Sequence, residues 1–327
     1  MFLPEGIILS DGRYRVDEVL GQGGYGITYL ATDLQLGMCV AIKEFFLREF
    51  CSRAEDGIRV KPALERNEAV FNRFCKKFLW EAKTISSLRH PNIINVDDVF
   101  QENGTAYYVM EYVYGKGLDK LVAERGPLPE AEAVHYISQV ASALEYVHDH
   151  KTLHLDVKPS NILIDGSRAV LIDFGISKHY DSHGSQTSST PSGISPGYSP
   201  IEQNNSAVKF FSPAIDVYAL AATLYKAVSG NTPPSASDVM ESGPPKLSNS
   251  VSRSVRNAIV KGMAPVRTDR IQNMRDFQKV LSGDNRRKKT GKPQKQKKKS
   301  KGILVTIMVF LFFLLASMAV VFKMYMK

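Results

Sequence analysis

Residues 303–322 are the most restrictive feature of the sequence: twenty consecutive residues, ILVTIMVFLFFLLASMAVVF, without a charge, a proline or a glycine. Because an α-helix rises about 1.5 Å per residue, this run would extend roughly 30 Å, the thickness of the hydrocarbon core of a bilayer. A buried core helix is the alternative, but such helices are seldom apolar on every side from end to end. The sequence therefore predicts a transmembrane helix at residues 303–322 and a short tail at residues 323–327.

The sequence before this helix is strongly basic. Residues 286–301 contain ten lysines and arginines and no acid. Since basic residues beside a membrane span favour the cytoplasmic side, and the amino terminus lacks the features of a signal peptide, we expect residues 1–285 to be cytoplasmic. Residues 282–302 predict a flexible basic linker, because they have no apolar surface to bury. Their lysines either attract anionic lipid headgroups, at about 1 kcal/mol per charge, or act only as a topology signal.

The net charge of +9 comes from this carboxyl-terminal end. Without the basic residues of 286–301, Lys323 and Lys327, residues 1–285 contain 30 basic and 33 acidic residues, a net charge of about −3. No nucleic-acid partner is therefore expected. The three cysteines are far apart and lack the paired spacing of a zinc site, which argues against redox chemistry.

The remaining chain changes character near its first third. Residues 13–113 contain runs rich in Val, Ile, Tyr and Phe, such as GITYLATD and AYYVMEYV, separated by Gly, Asp and Asn, which predicts β-strands. Apolar residues recur at helical spacing over residues 129–148, and residues 215–228 predict a second apolar helix. Strands followed by helices predict an α+β protein of two lobes, with a ligand site in the cleft between them.

A glycine-rich turn, a lysine on a strand and two acidic motifs follow one another in order. Gly21, Gly23 and Gly26 in LGQGGYGITYL lie between two predicted strands, where a missing Cβ lets the backbone approach phosphate oxygens. A dinucleotide-binding turn would continue as a helix, whereas ITYLATD continues as a strand. The strand VAIK then ends in Lys43, and HLDVKPSN and DFG follow. Each motif alone also occurs in proteins for purely structural reasons, so the interpretation depends on the ordered series of motifs.

This series resembles the eukaryotic-type serine/threonine protein kinase family over residues 13–281. The resemblance implies an N-terminal extension at residues 1–12 and an N-lobe at about 13–113, with a small antiparallel sheet and one main helix. A larger helical C-lobe would occupy about residues 114–281. GQGGYGITYLA, GYSPIEQ and the long insertion at residues 44–77 look like bacterial members of the family, so the single-pass anchor predicted at residues 303–322 would lie in the bacterial inner membrane.

The resemblance assigns catalytic roles to four residues. Lys43 would hold the α and β phosphates of ATP and pair with Glu81. Asp156 would orient the substrate hydroxyl and accept its proton, and Lys158 would stabilise the γ-phosphoryl group. Phosphoryl transfer needs these residue types for two reasons. Cations stabilise the negative charge on the transferred group, and a carboxylate accepts the proton of the attacking hydroxyl.

The resemblance also implies ATP and Mg²⁺ as cofactors. Asn161 and Asp173 would bind the metal through oxygen atoms. Thr28 and Ala41 would cover the adenine ring, and backbone groups of the hinge at residues 111–113 would meet its edge. The full predicted nucleotide-binding set is Gly21, Gly23, Gly26, Thr28, Ala41, Lys43, Glu111, Val113, Asn161 and Asp173.

Further positions support the family. Lys158 in the catalytic loop resembles serine/threonine rather than tyrosine kinases, and Ser195 stands where a hydroxyl residue would bond the catalytic Asp and Lys. Glu202 would pair with Arg270 in a buried brace of the C-lobe, with an exposed pair as the alternative. Asp216 would anchor the catalytic loop from below.

Other positions depart from the family. Leu155 replaces the Arg that ordinarily binds a phosphate group on the activation loop. Its absence makes activation of the kinase by one phosphorylated residue less expected. The segment 176–194 includes hydroxyl residues that are either autophosphorylation sites or parts of a plain polar loop: Ser185, Thr187, Ser188, Ser189, Thr190 and Ser192. Gly117 and Ser160 stand where arginine-directed kinases carry acids, so no basic substrate motif is predicted.

Together these features predict a membrane-tethered serine/threonine protein kinase that transfers the γ-phosphoryl group of ATP to protein hydroxyls in the cytoplasm. The alternative is a silent pseudokinase scaffold that binds nucleotide or partners, but Lys43, Asp156 and Asp173 are all present. The expected partners are protein substrates, the bilayer through residues 303–322 and anionic headgroups through residues 286–301. No feature of the sequence supports or excludes the formation of a homodimer.

Overall fold

The computed structural model describes residues 1–24, 26–174, 195–204 and 211–284, and the backbone of Lys178–His179. Residues Met1–Asp284 form one compact unit. The predicted transmembrane helix and tail, most of the predicted linker and the hydroxyl residues of 176–194 lie outside the described residues. No helix within the described ranges combines the length and hydropathy that crossing a membrane requires.

The amino-terminal lobe contains eight strands and one long helix. In chain order these are β1 (Ile8–Leu9), β2 (Tyr14–Gln22), β3 (Gly26–Asp33), β4 (Met38–Phe45), β5 (Cys51–Arg53), β6 (Val60–Pro62), α1 (Glu68–Ser86), β7 (Val96–Glu102) and β8 (Thr105–Glu111). Six strands form an antiparallel sheet in the order β1-β2-β3-β4-β8-β7, and β5 and β6 pair as a separate hairpin.

Period-two burial explains why these residues form a sheet. Ile27, Tyr29 and Ala31 alternate along β3 and are fully buried, while the residues between them keep part of their exposure. Helix α1 covers the same core, because Phe71 and Phe78 lie seven residues apart on one helical face and are both buried. The predicted strand-rich lobe with one main helix is therefore confirmed.

The predicted N-terminal extension contributes to the sheet. Ile8 and Leu9 in β1 pair with Arg15 and Tyr14 in β2, and Leu3 is buried. The ordered lobe thus begins before the predicted boundary at residue 13. A two-residue strand has too short a run of alternating residues to be visible in the sequence.

The insertion at residues 44–77 is also folded onto the sheet. Arg53 at the end of β5 donates to both carboxylate oxygens of Glu44, at 3.0 and 2.5 Å, and to the hydroxyl of Tyr29 at 3.1 Å. Glu44 also accepts from the hydroxyls of Tyr29 and Tyr107, at 2.8 and 3.0 Å, and is fully buried. This buried polar cluster ties the hairpin to the strand that carries Lys43.

The carboxyl-terminal lobe is mainly helical. It contains β9 (Lys116–Gly117), α2 (Leu118–Arg125), α3 (Glu130–Asp149), β10 (Thr152–Leu153), β11 (Ile162–Asp165), β12 (Arg168–Leu171), β13 (Lys178–His179), α4 (Ile201–Asn204), α5 (Ala214–Ser229), α6 (Ala236–Ser242), α7 (Arg253–Gly262) and α8 (Met274–Leu281). The predicted helices at 129–148 and 215–228 correspond to α3 and α5. Helix α5 ends at Ser229 and is followed by Gly230, whose φ of 72° is a conformation that favours glycine. The two-lobed α+β prediction is confirmed.

Candidate active site

Lys43 joins the two lobes. Its Nζ, on β4, donates a hydrogen bond to Oδ1 of Asp173 at 2.9 Å. Asp173 follows β12 and has a φ of 60°, a left-handed conformation that is rare outside glycine and often found at functional sites. Burial lowers the pKa of Lys43, but the charge and hydrogen bond of Asp173 together with the charges of Tyr108 and Glu81 outweigh burial, and the pKa is raised well above its usual value. Lys43 is therefore held as an ammonium.

Glu81 lies on α1 and is buried, but it does not make the expected ion pair. No ion pair between Lys43 and Glu81 is found among the described residues, and Oε1 of Glu81 is buried without a hydrogen-bond partner. Burial raises the pKa of Glu81 to about 7, although the charge of Lys43 opposes this. The side chain of Asp173 is 42% exposed and keeps part of its hydration, so its charged form costs less. The ammonium therefore pairs with Asp173.

Tyr108 also belongs to this site, although none of the sequence motifs predicts it. It is buried, pairs with Lys43 across β4 and β8, and places its ring centroid 5.7 Å from Nζ of Lys43. At that distance the face of the ring attracts the cation. Burial also raises the pKa of the Tyr108 hydroxyl. The only signal in the sequence is the predicted strand AYYVMEYV, which does not fix the register with β4.

Three polar side chains surround the carboxylate of Asp156 in the catalytic loop. Its Oδ1 accepts from the Ser195 hydroxyl at 2.6 Å, and its Oδ2 accepts from Nζ of Lys158 at 2.8 Å and from Nδ2 of Asn161 at 3.0 Å. Lys158 also donates to Ser195 Oγ at 3.2 Å. The prediction that Ser195 bonds both Asp156 and Lys158 is confirmed. These contacts fix the orientation of the Asp156 carboxylate.

Asp216, in the core of the carboxyl-terminal lobe, anchors the catalytic loop, as predicted. Asp216 in α5 accepts from the backbone amides of His154 and Leu155, at 3.0 and 2.8 Å, and lies 2.8 Å from Nε2 of His148. Burial raises the pKa of Asp216, but the hydrogen bond and charge of His148 together with the charge and backbone amide of His154 outweigh burial, and the pKa is lowered. His148, at the end of α3, had no motif to identify it.

Leu155 has a structural role in place of the family's Arg. Its side chain is buried in a cluster with Leu153, Phe211 and Ile215. Its φ of 67° is left-handed, and Gln203 holds its carbonyl through a hydrogen bond of 2.7 Å. An apolar side chain at this position ties the catalytic loop to the base of the lobe, where a cation would lose its hydration.

The Glu202–Arg270 brace is confirmed as a buried pair. Nη1 of Arg270 lies 2.6 Å from Oε1 of Glu202, and Nη2 lies 3.3 Å from Oε2. The guanidinium has no exposed surface and also donates to the carbonyls of Ala214, Ala264 and Pro265. Because every edge of the guanidinium is engaged, this pair holds the segment after Ser195 against the lobe.

Asn161 and Asp173 fit a magnesium ion by the chemistry of their donors. Asn161 directs its amide nitrogen to Asp156, with bonds to the carbonyl and the carboxylate, so its carbonyl oxygen points elsewhere. No cluster of three or more His, Cys, Asp or Glu that could hold a metal occurs in the described part of the chain. Mg²⁺ commonly binds one or two protein oxygens and fills its other positions with water and phosphate, so two ligands are sufficient.

The predicted hinge lies beside the strand that carries Lys43. Glu111 ends β8, donates its amide to Asn95 at 3.0 Å, and receives a bond of 2.9 Å from Arg168. Val113 is buried, and its carbonyl accepts from Gly115. The hinge backbone is thus fixed on both sides. Thr28 and Ala41 lie on the neighbouring strands β3 and β4.

The glycine-rich turn closes over the same strands. Gly21 pairs with Thr28 across β2 and β3, and the amide of Gly23 donates to the carbonyl of Gly26 at 2.9 Å. Gly26 is the tightest of these positions, because a Cβ built on it would lie 2.5 Å from the Glu44 carbonyl oxygen. Only glycine fits there without movement of β4.

Replacement of Gly26 by alanine is expected to raise the KM for ATP. The added methyl would push against the backbone next to Lys43, and such overpacking costs about 1–3 kcal/mol, of which roughly 1.4 kcal/mol gives a tenfold change. Steady-state phosphorylation at varied ATP concentrations measures the effect. Gly24→Ala is the matched control, since a Cβ at Gly24 meets nothing within 4 Å. Equal KM values in the two variants would contradict the prediction.

Comparison with known proteins agrees with this geometry. The model of the protein kinase domain family matches residues 14–298. The chain is 33% identical over 223 residues to "Serine/threonine-protein kinase PrkC" of Bacillus subtilis (strain 168), an alignment that covers 68% of this chain and 31% of PrkC. It is 30% identical over 288 residues to "Probable serine/threonine-protein kinase CPE1738" of Clostridium perfringens (strain 13 / Type A), covering 84% and 39%.

A solved structure, "PpkA-294 apo form", is similar with a TM-score of 0.73 and 26% identity, covering 86% of this chain and 99% of that one. The chain spans only about a third of the length of the curated relatives it matches. PrkC is named a serine/threonine-protein kinase and CPE1738 a probable one, which agrees with the expectation from the motifs. The chain belongs to the protein kinase domain family.

Proposed function

We propose that this protein is a serine/threonine protein kinase that uses ATP with Mg²⁺. One observation carries the proposal: the Asp156 carboxylate is held within 3.0 Å of Ser195, Lys158 and Asn161. A carboxylate fixed by donors on both oxygens is oriented to receive a hydroxyl and its proton. A pseudokinase scaffold would not need a carboxylate oriented in this way, because it transfers no phosphate.

The chain's own residues account for the transfer. Asp156 accepts the proton of the substrate serine or threonine hydroxyl while the bond from that oxygen to the γ-phosphorus forms and the bond from phosphorus to the β-phosphate oxygen breaks. Lys158 stabilises the negative charge on the moving group, and Lys43 holds the phosphates that leave as ADP. The Mg²⁺ ion that Asn161 and Asp173 would hold supplies further positive charge to the phosphate oxygens.

Phosphate transfer is tested by incubating the purified full-length chain with radiolabelled ATP and a general acceptor protein. We expect incorporation by the parent protein and a loss of it in Lys43→Ala and Asp173→Asn, because each variant removes a charge that holds the phosphates or the metal. No incorporation by the parent protein would contradict the kinase proposal. Equal incorporation by parent and variants would reveal a contaminating kinase.

We further propose that residues 303–322 anchor the protein in the bacterial inner membrane with the kinase domain in the cytoplasm. The supporting observations are the uncharged twenty-residue run and the basic residues before it. A flexible linker of about twenty residues has a root-mean-square reach of about 25 Å, so the catalytic unit would act close to the membrane surface. Anionic headgroups would attract the lysines of the linker.

The full-length protein is expected to stay in the membrane pellet after extraction of cells with alkaline carbonate, because a spanning helix is not removed by charge or high pH. A version that ends at Asp284 serves as the control and is expected in the supernatant, since the compact unit ends there. Immunoblotting of the two fractions measures the distribution. Release of the full-length chain into the supernatant would contradict the anchor.

A further inference from the structure

Helix α1 has a basic outer face. This face consists of Arg73, Lys76, Trp80 and Lys83, and all four residues are exposed. They follow one another at intervals of three, four and three residues, so they lie on one side of the helix. The opposite side carries Phe71 and Phe78, which are buried in the core of the lobe. The helix therefore fixes the basic face toward the outside of the catalytic unit.

The basic face contains no acid that would neutralise it. From Ala69 to Arg89 the only acidic residue is Glu81, which is buried. The three cations of the face form no ion pair with a carboxylate in the described part of the chain. Helix α8 shows the usual pattern of a solvated helix, because Lys279 pairs there with Asp276. Cations three or four residues apart on one face repel each other, and an anionic surface would relieve that repulsion.

Trp80 indicates which anionic surface fits. It is the only tryptophan in the chain, and it is 39% exposed. An acidic protein surface would be matched by cations alone. A tryptophan ring among cations instead matches the membrane interface, where anionic headgroups lie beside apolar acyl chains and where tryptophan is enriched.

The proposed anchor would keep the catalytic unit within reach of such a surface. Only residues 285–302 separate the unit Met1–Asp284 from the apolar run at 303–322. Residues 1–285 carry a net charge of about −3, so an anionic leaflet repels them as a whole and attracts them only through a locally basic face. Charge complementarity therefore favours contact through α1.

We propose that the basic face of α1 docks on the anionic surface of the membrane. Arg73, Lys76 and Lys83 contact the lipid headgroups, and the Trp80 ring lies at their boundary with the acyl chains. This inference goes beyond the kinase function and rests on the proposed membrane anchor. Docking through one face would hold the catalytic unit in a single orientation above the bilayer.

The single tryptophan allows a test that reports on this face without a label. The full-length protein is reconstituted into lipid nanodiscs of phosphatidylcholine, with or without phosphatidylglycerol, and Trp80 emission is recorded with ordinary and with brominated acyl chains. With phosphatidylglycerol we expect emission at a shorter wavelength and quenching by the brominated lipid, and in neutral discs neither effect. A high concentration of sodium chloride should reverse both effects, because salt screens charges at a surface.

Two double variants separate the basic face from a general effect of charge. Lys76→Gln with Lys83→Gln should lower the ratio of docked to free protein about 25-fold, since each charge near an anionic surface contributes about fivefold. Lys116→Gln with Lys279→Gln makes the same change at exposed lysines on α2 and α8 and should keep the ratio of the parent protein. Equal quenching of Trp80 in the two double variants would overturn the proposal.

The composition of the discs distinguishes failure of docking from failure of the anchor. A parent protein that enters discs of both compositions, but shows the same Trp80 emission in each, would overturn docking and leave the anchor intact. The basic face would then fit an acidic protein surface instead. A parent protein that does not enter neutral discs would remove the anchor and the proposal that rests on it.

Discussion

Replacement of Asp156 by asparagine is expected to lower kcat by about 10²- to 10⁴-fold, with little change in the KM for ATP. The asparagine oxygen can still accept a hydrogen bond from Ser195 or Lys158, so the loop keeps its shape. It cannot take the proton of the substrate hydroxyl. Since Asp156 contacts neither Lys43 nor Asp173 in the described hydrogen bonds, nucleotide binding should persist. Steady-state phosphorylation of an acceptor protein measures both constants.

Asp165→Asn is the matched control for this variant. Asp165 lies at the end of β11, nine residues along the chain, and makes no side-chain hydrogen bond within the described part of the protein. Its replacement makes the same chemical change and should leave kcat close to that of the parent. If Asp156→Asn kept kcat near the parent value, the carboxylate would not act as the base, and its hydrogen bonds would have only a structural role.

Replacement of Arg53 by methionine is expected to destabilise the catalytic unit by about 3–5 kcal/mol, the usual effect of leaving one member of a buried ion pair unpaired. Glu44 has no exposed surface, and Arg53 keeps only 5% of its side-chain exposure. Without the guanidinium, the Glu44 carboxylate would keep the Tyr29 and Tyr107 hydroxyls but lose its countercharge. Urea unfolding of residues 1–284, followed by circular dichroism, measures the change.

Two variants test the origin of this effect. Lys116→Ala removes an exposed pair with Glu124, whose side chains are 59% and 52% exposed, and should cost less than about 1 kcal/mol. The double variant Arg53→Met with Glu44→Gln should recover part of the lost stability, because no uncompensated charge remains. A loss in Arg53→Met as small as that in Lys116→Ala would show that the buried pair contributes little.

The catalytic loop could be predicted closely because its members are near one another in sequence. Asp156, Lys158 and Asn161 lie within six residues, so a single loop brings them together whatever the rest of the chain does. Ser195 is distant, and only the family resemblance could place it. The structure confirms these contacts at hydrogen-bond distance.

The partner of Lys43 could not be predicted in the same way. Two carboxylates, of Glu81 and Asp173, lie near enough to influence the ammonium of Lys43, and the choice between them as its partner depends on how much hydration each retains. A sequence motif contains no information on burial of that kind.

The amino-terminal residues have a practical consequence for how the kinase domain should be produced. The carbonyl of Met1 accepts from Nε of Arg53 at 2.7 Å, and the amide of Leu3 donates to the hydroxyl of Tyr29 at 3.1 Å. A recombinant fragment trimmed to the family motifs would begin near residue 13 and lose both bonds, together with strand β1. Since Arg53 neutralises Glu44, the residue next to Lys43, such trimming would loosen the strand that presents the lysine to ATP.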